Sequence, residues 1–184
     1  MKKEIFEIKR SDSDNDAQID ILGNRAMILF AGTFQTLMRE IESIIGIEAQ
    51  GVLYNAGIYS GRFSSKTLLK SWEERGESFL EKWASFYDSN GVGWFKIEEI
   101  NVDLNKGTGY IRITDSLTAK NYIIPECREK KVDSSRTFYN PACHFIAGFF
   151  AGVFEILSGK NLECHETKCI TKNDPYCEFT LTNY

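Results

Sequence analysis

Residues 142–157, ACHFIAGFFAGVFEIL, are apolar on nearly every side of a helix, with Glu155 as the one carboxylate. A helix of that kind has no face to give to water, so the rest of the chain has to wrap it. Asn140-Pro141 supplies a start signal, Asn as cap and proline at the first helical position, and Ser158-Gly159 supplies the stop. The apolar run 145–157 is well short of the roughly 20 residues that cross a bilayer. It reads as a core helix, and no membrane span is expected.

The segments that would do the wrapping follow from periodicity and turn signals. Short strands are expected over 4–8 and 18–22, around the polar stretch 11–16. Asn24 is a plausible cap for a helix over 24–45, with Met27, Leu29, Phe30, Phe34, Leu37, Met38, Ile41, Ile44 and Ile45 on one wide apolar face and Gly46 as its stop. A second helix is expected over 49–72, where Gly57 and Gly61 either let another helix approach closely or kink this one. A third runs over 77–87. Strands over 93–102 and 109–114 are joined by Asn105-Lys106-Gly107, and residues 116–139 read as a long polar loop with at most one short strand around Tyr122. After the core helix come strands over 162–170 and 176–182, joined by Lys172-Asn173-Asp174-Pro175. Helices, hairpin, helix, hairpin is the order of an α+β domain with helices packed on an antiparallel sheet.

At 184 residues with 42% hydrophobic content and no linker composition, the chain is expected to form a single domain over 1–184. A net charge of -4 with both signs mixed leaves no basic stripe to neutralise phosphates, which argues against nucleic acid as a partner. The first ten residues alternate charge with apolar side chains and lack the apolar core of a secretory signal, so a cytoplasmic location is expected.

Five cysteines are an odd number for a disulfide framework, and four of them fall between Cys143 and Cys177. Glu166 and Cys169 lie three apart at the end of one expected strand, and Cys177 opens the next across a tight turn, so the hairpin alone gathers them. Cys143 comes from about the third position of the core helix, where free N–H groups favour a thiolate. Cys143, Glu166, Cys169 and Cys177 would make a closed tetrahedral set for one structural zinc ion, leaving no open position for catalysis. Four anionic ligands against a divalent ion call for an offset, from Lys168, Lys172 or backbone N–H donors. The spacing leaves other readings open: an ordinary buried thiol at Cys143, a surface carboxylate at Glu166, an oxidisable pair at Cys169 and Cys177. Cys164, His144 and His165 are competing ligands, with Cys164 first because it shares a strand face with Glu166.

The stretch CHFIAGFFAGVFEILSGKNLECHETKCITKNDPYCEF resembles the C-terminal signature of the 4-vinyl reductase domain family: a cysteine, small residues in a helix, then Glu-x2-Cys and Cys-x-Phe. Cys143, Gly148, Gly152, Gly159, Glu166, Cys169, Cys177 and Phe179 supply that pattern in order. The segments NRAMILFAGTFQTLMREIESIIG and VLYNAGIYSG are similar to the family's first two helices. The resemblance implies zinc on the four residues named, and a ligand-binding fold like that of aromatic-sensing domains of bacterial activators and of Golgi tethering-complex subunits. It also implies a homodimer. Phenol sensors of this type use a histidine near the middle of the domain, and this chain has none before His144. Phenol specificity therefore does not transfer.

The function expected is a zinc-containing sensor or carrier of a small apolar or aromatic molecule, with its output passing through a protein partner or through the ligand itself. An interaction domain with a filled core is the alternative, and a tetrapyrrole vinyl reductase component a more distant one, since no GxGxxG or P-loop offers a nucleotide site. Cys143, Ala147 and Ala151 form a stripe of small residues on the core helix. If that stripe faces the strand carrying Cys164, a ligand would sit against Ala147 and Ala151, roofed by Cys164 and closed by Trp94 or Tyr122. Close approach of another helix explains the same stripe.

Overall fold

The computed structural model describes residues 9–10, 19–89, 94–119 and 143–184. Strands β1 (Lys9–Arg10), β2 (Ile19–Ile21) and β3 (Asn24–Ala26) form a small antiparallel sheet. Helices α1 (Ala31–Ile45), α2 (Ala49–Ser71) and α3 (Gly76–Ser89) follow, then strands β4 (Lys96–Asp103) and β5 (Thr108–Thr114), helix α4 (His144–Ser158), and strands β6 (Leu162–Lys168) and β7 (Cys177–Asn183). The second sheet has the order β4-β5-β7-β6, with antiparallel pairing throughout. The fold is α+β, as the order of elements predicts.

Helix α4 is the centre of the core. Ile146, Phe149, Phe150, Ala151, Val153 and Phe154 are all buried. On its sheet side Phe150 meets Phe179 of β7 edge-on at 5.1 Å, and Phe150 and Phe154 flank the buried indole of Trp83 from α3. On the opposite side α4 lies backbone to backbone against α2. A Cβ at Gly148 would strike the carbonyl oxygen of Tyr54, and one at Gly57 the carbonyl oxygen of Phe145; Gly152 and Gly61 are closed in the same way by Ile58 and Phe149. The glycines thus serve close packing, and α2 runs from Ala49 to Ser71 without the break that Gly57 and Gly61 could have caused. The carboxylate of α4, Glu155, receives the Arg62 guanidinium of α2 at 2.6 Å, which accounts for a charge inside an apolar helix.

The outer face of the sheet is polar: Arg112 of β5 bridges Glu99 of β4 and Glu178 of β7, and stacks on the Tyr110 and Tyr176 rings. Burial on one face and charge on the other is the usual arrangement of an antiparallel sheet covered on one side.

The first helix departs from expectation at its start. Asn24 does not cap it; α1 begins at Ala31, and Asn24 belongs to a strand. Leu22 and Gly23 both have positive φ, 53° and 75°, which is the backbone of a tight hairpin turn. The Gly23 N–H donates to Asp20 Oδ1 and the Asn24 amide to the Leu22 carbonyl, so the local polar groups serve that hairpin. The wide apolar face is buried only in part: Met38 is buried and Phe34 packs edge-on against Phe145, whereas Met27, Phe30, Leu37 and Ile44 are 78%, 82%, 55% and 78% exposed.

Candidate metal centre and adjoining recess

The three sulfurs converge from three elements. Cys143 is the N-cap of α4, not its third residue, with φ -102° and ψ 32°. Its carbonyl accepts the Ala147 N–H at 2.8 Å to open the helix, which leaves its side chain at the helix mouth. Cys169 follows directly on the strand that carries Glu166, and its carbonyl accepts N–H groups from Lys172 and Asp174 while its own N–H donates to Asp174 Oδ2 at 2.8 Å. That turn includes Asn173 at φ 67°, a conformation that asparagine tolerates better than most residues, and it returns the chain to Cys177.

One donor atom from each of Cys143, Glu166, Cys169 and Cys177 lies within 4.8 Å of all the others. Cys143 Sγ is 3.8 Å from Cys177 Sγ, which is 4.0 Å from Cys169 Sγ. A tetrahedral ion with metal–sulfur bonds of about 2.3 Å places its sulfurs about 3.8 Å apart, whereas a disulfide needs about 2.05 Å. All three cysteines are free thiols and fully buried. Glu166 Oε2 accepts the Cys143 N–H at 3.1 Å, but Oε1 is buried and has no hydrogen-bond partner among the described residues. A buried carboxylate oxygen left without a donor, beside three thiols at this spacing, fits a soft divalent cation.

Without a cation the cluster resists ionisation. Hydrogen bonding with the Cys169 and Cys177 thiols, then burial, pushes the Cys143 thiol well above its ordinary value. Burial, ahead of the nearby Cys169 sulfur, lifts the Glu166 carboxyl to about 8. The offset expected from Lys168 is not there: its ammonium turns outward to Tyr176 Oη at 3.0 Å and Glu178 at 3.4 Å. Lys172 is exposed. Neutral groups surround the sulfurs instead: the Ile170 N–H donates to Cys177 Sγ at 3.5 Å, and the Ser116 and Thr171 hydroxyls are hydrogen-bonded with Cys143 Sγ at 3.4 Å and Cys169 Sγ at 3.0 Å. Ser116 and Thr171 carry no recognisable spacing signal, and sequence reasoning misses both.

The competing ligands lie outside the cluster. Cys164 is buried on β6, its N–H bonded to Tyr54 Oη at 3.0 Å, and burial with the Glu166 charge pushes its thiol up. With Ala147, His144 and His165 it lines a recess of about 370 Å³ that also touches Glu166. The other residues of the expected ligand site go elsewhere. Ala151 is enclosed in the core, Trp94 packs its ring on Phe145 and Phe149 at 5.4 and 5.3 Å, and Tyr122 is outside the described residues. The small-residue stripe therefore divides: Ala147 faces the recess, while neighbouring Gly148 and Gly152 seat α2.

An antiparallel sheet wrapped on a buried helix has a counterpart among solved structures. The crystal structure of the phenol-responsive sensory domain of the transcription activator PoxR, with phenol, superposes with a TM-score of 0.67 at 20% identity, over 90% of this chain and 80% of that one. The fold is that of this sensory domain. Residues 126–183, which hold the whole cluster, match the model of the 4-vinyl reductase domain, the family whose signature the sequence resembles. An uncharacterized protein of Methanocaldococcus jannaschii is 26% identical over 136 residues, 74% of this chain and 65% of the relative, so the match spans less than two thirds of that relative's length. A vinyl-4-reductase family protein of the same organism aligns with a TM-score of 0.45 at 15% identity, over 86% of this chain and 99% of that one. Among the described residues, no helix is long and apolar enough to cross a membrane.

Proposed function

We propose that this chain is a zinc-containing domain that senses or carries a small apolar or aromatic molecule, with the ion held by Cys143, Glu166, Cys169 and Cys177. The observation that carries the reading is the contact between the cluster and the recess: Glu166 belongs to both, and Cys143 of the cluster is followed directly by His144 of the recess. The likeness to a sensory domain crystallised with phenol supports it. The ion would supply structure, tying the mouth of α4 to the last hairpin, and would fix the wall against which a ligand rests. Native mass spectrometry and elemental analysis of the freshly purified chain test both parts. One zinc and a retained small molecule are expected, and a protein carrying neither would overturn the reading.

A filled-core interaction domain is the second reading, and the aromatic packing around Trp83, Tyr87, Phe95 and Phe149 favours it. The two share a surface. Leu37, Ile44, Ile47, Tyr59 and Phe63 on and between α1 and α2 are exposed, apolar surface that a second copy of the chain would cover. Light scattering should report a homodimer, and a monomer at micromolar concentration would remove that part alone.

A further inference from the structure

The chain has two histidines, and both line the recess beside the cluster. Its volume, about 370 Å³, is at the lower end of what small-molecule sites offer. The start of α2 brings Gln50, Gly51 and Tyr54, the start of α4 brings His144 and Ala147, and β6 brings the rest. Two of the lining residues are carboxylates, Glu163 and Glu166, and no lysine or arginine is among them. Glu163 meets His165 at 3.1 Å on the exposed rim. Three thiolates and a carboxylate around a divalent ion leave a formal charge of -2 directly behind Glu166. A half-enclosed site with that background and no lysine or arginine in its lining favours positive charge over negative. A second metal ion is not the occupant these donors suit: among the described residues, only the sulfur cluster brings three or more metal-binding groups together.

We infer that the recess binds a small organic cation, an apolar body carrying a protonated amine, with the ammonium set against Glu163 and Glu166 and the body on Tyr54 and Ala147. Tyr54 adds an aromatic ring, which attracts cations in its own right. The inference rests on the reading of the chain as a zinc-containing small-molecule binder, and it narrows the ligand from apolar or aromatic to apolar amine.

The test uses three probes of one size and different charge, benzylamine, benzyl alcohol and benzoate, titrated calorimetrically into the full chain whose zinc content is measured on the same sample. Benzylamine should bind at least about tenfold more tightly than benzoate. Gly51 lines the recess, is exposed, and has open space where a Cβ would be, so Gly51→Lys places a positive charge at the rim without entering the core. It should weaken benzylamine about tenfold more than it weakens the neutral benzyl alcohol, whose change reads the space the lysine takes up. Benzoate binding as tightly as benzylamine, or indifference of benzylamine to Gly51→Lys, overturns the inference. A retained molecule in native mass spectrometry together with silence from all three probes overturns it as well, while leaving the sensor reading standing. A sample without zinc refutes the metal and, with it, the charge behind Glu166 on which this inference is built.

Discussion

Replacing Cys177 by serine removes the sulfur that sits between the other two, 3.8 Å from Cys143 Sγ and 4.0 Å from Cys169 Sγ. A serine hydroxyl is a poor ligand for zinc, and the two remaining thiolates would be left with Glu166 and water. An ion that binds only the folded chain stabilises it by RT ln(1 + [L]/Kd), about 4 kcal/mol when free zinc is about a thousandfold above Kd. For a chain of 184 residues each kcal/mol moves the melting temperature by roughly 2–4 °C, so the loss should be about 8–16 °C. Scanning calorimetry with and without a chelator, paired with elemental analysis, reads this directly. The wild type should fall toward the variant when chelated, and the variant should hardly respond. Cys164→Ser is the control, since Cys164 lies outside the cluster, and it should keep its zinc. A Cys177→Ser protein with a full equivalent of zinc would refute the ligand assignment. A wild type indifferent to chelation would refute the metal.

Glu166→Ala should lower zinc affinity while retaining stoichiometric binding at excess metal, because water can replace a carboxylate oxygen where it cannot replace a buried thiolate; competition with a chromophoric chelator would measure it. Gly148→Ala drives a methyl group into the Tyr54 carbonyl and should cost at least ~1–3 kcal/mol in urea unfolding, a change near zero showing that α2 and α4 are not in backbone contact. Zinc affinity should rise with pH across the range around 8: burial holds the metal-free Glu166 carboxyl at about 8 and the Cys143 thiol higher still, so below that range protons compete with the ion for the site. An affinity that stays flat from roughly pH 6 to roughly pH 9 would contradict the described environment.

The parts of the molecule legible in the sequence are those decided by local chemistry. The helix over α4 follows from an unbroken apolar run closed by Ser158-Gly159, and Gly159 indeed takes the left-handed conformation, φ 69°, that ends it. The hairpin of β6 and β7 follows from its turn residues, which is why Glu166, Cys169 and Cys177 can be gathered without a structure. Long-range partners are out of reach. Nothing in the sequence tells that Ser116 stands over Cys143, or that Lys168 prefers Glu178 and Tyr176 to the cluster. The start of α1 is misread for a different reason: Asn24 is as good in a tight hairpin as at a helix cap, and the carboxylate of Asp20, one strand earlier, tips it toward the hairpin.

What the cluster would be without an ion decides between a metal site and a plain corner of the core. Three thiols and a carboxyl, all buried or nearly so, are a poor substitute for valine or leucine: the carboxyl must hold a proton near neutral pH, and Oε1 finds no donor among the described residues. A disulfide does not relieve this. Joining Cys169 to Cys177 would require their sulfurs to close from 4.0 Å to about 2.05 Å, and would still leave the Cys143 thiol and the Glu166 carboxyl facing the bond. A divalent cation would relieve every conflict at once, because it would replace the shared protons, occupy the space between sulfurs already at tetrahedral spacing, and give the stranded oxygen a partner. The surrounding donors favour the same outcome. The Ile170 N–H and the Thr171 and Ser116 hydroxyls each lie against a sulfur, where they would stabilise a thiolate more than a thiol.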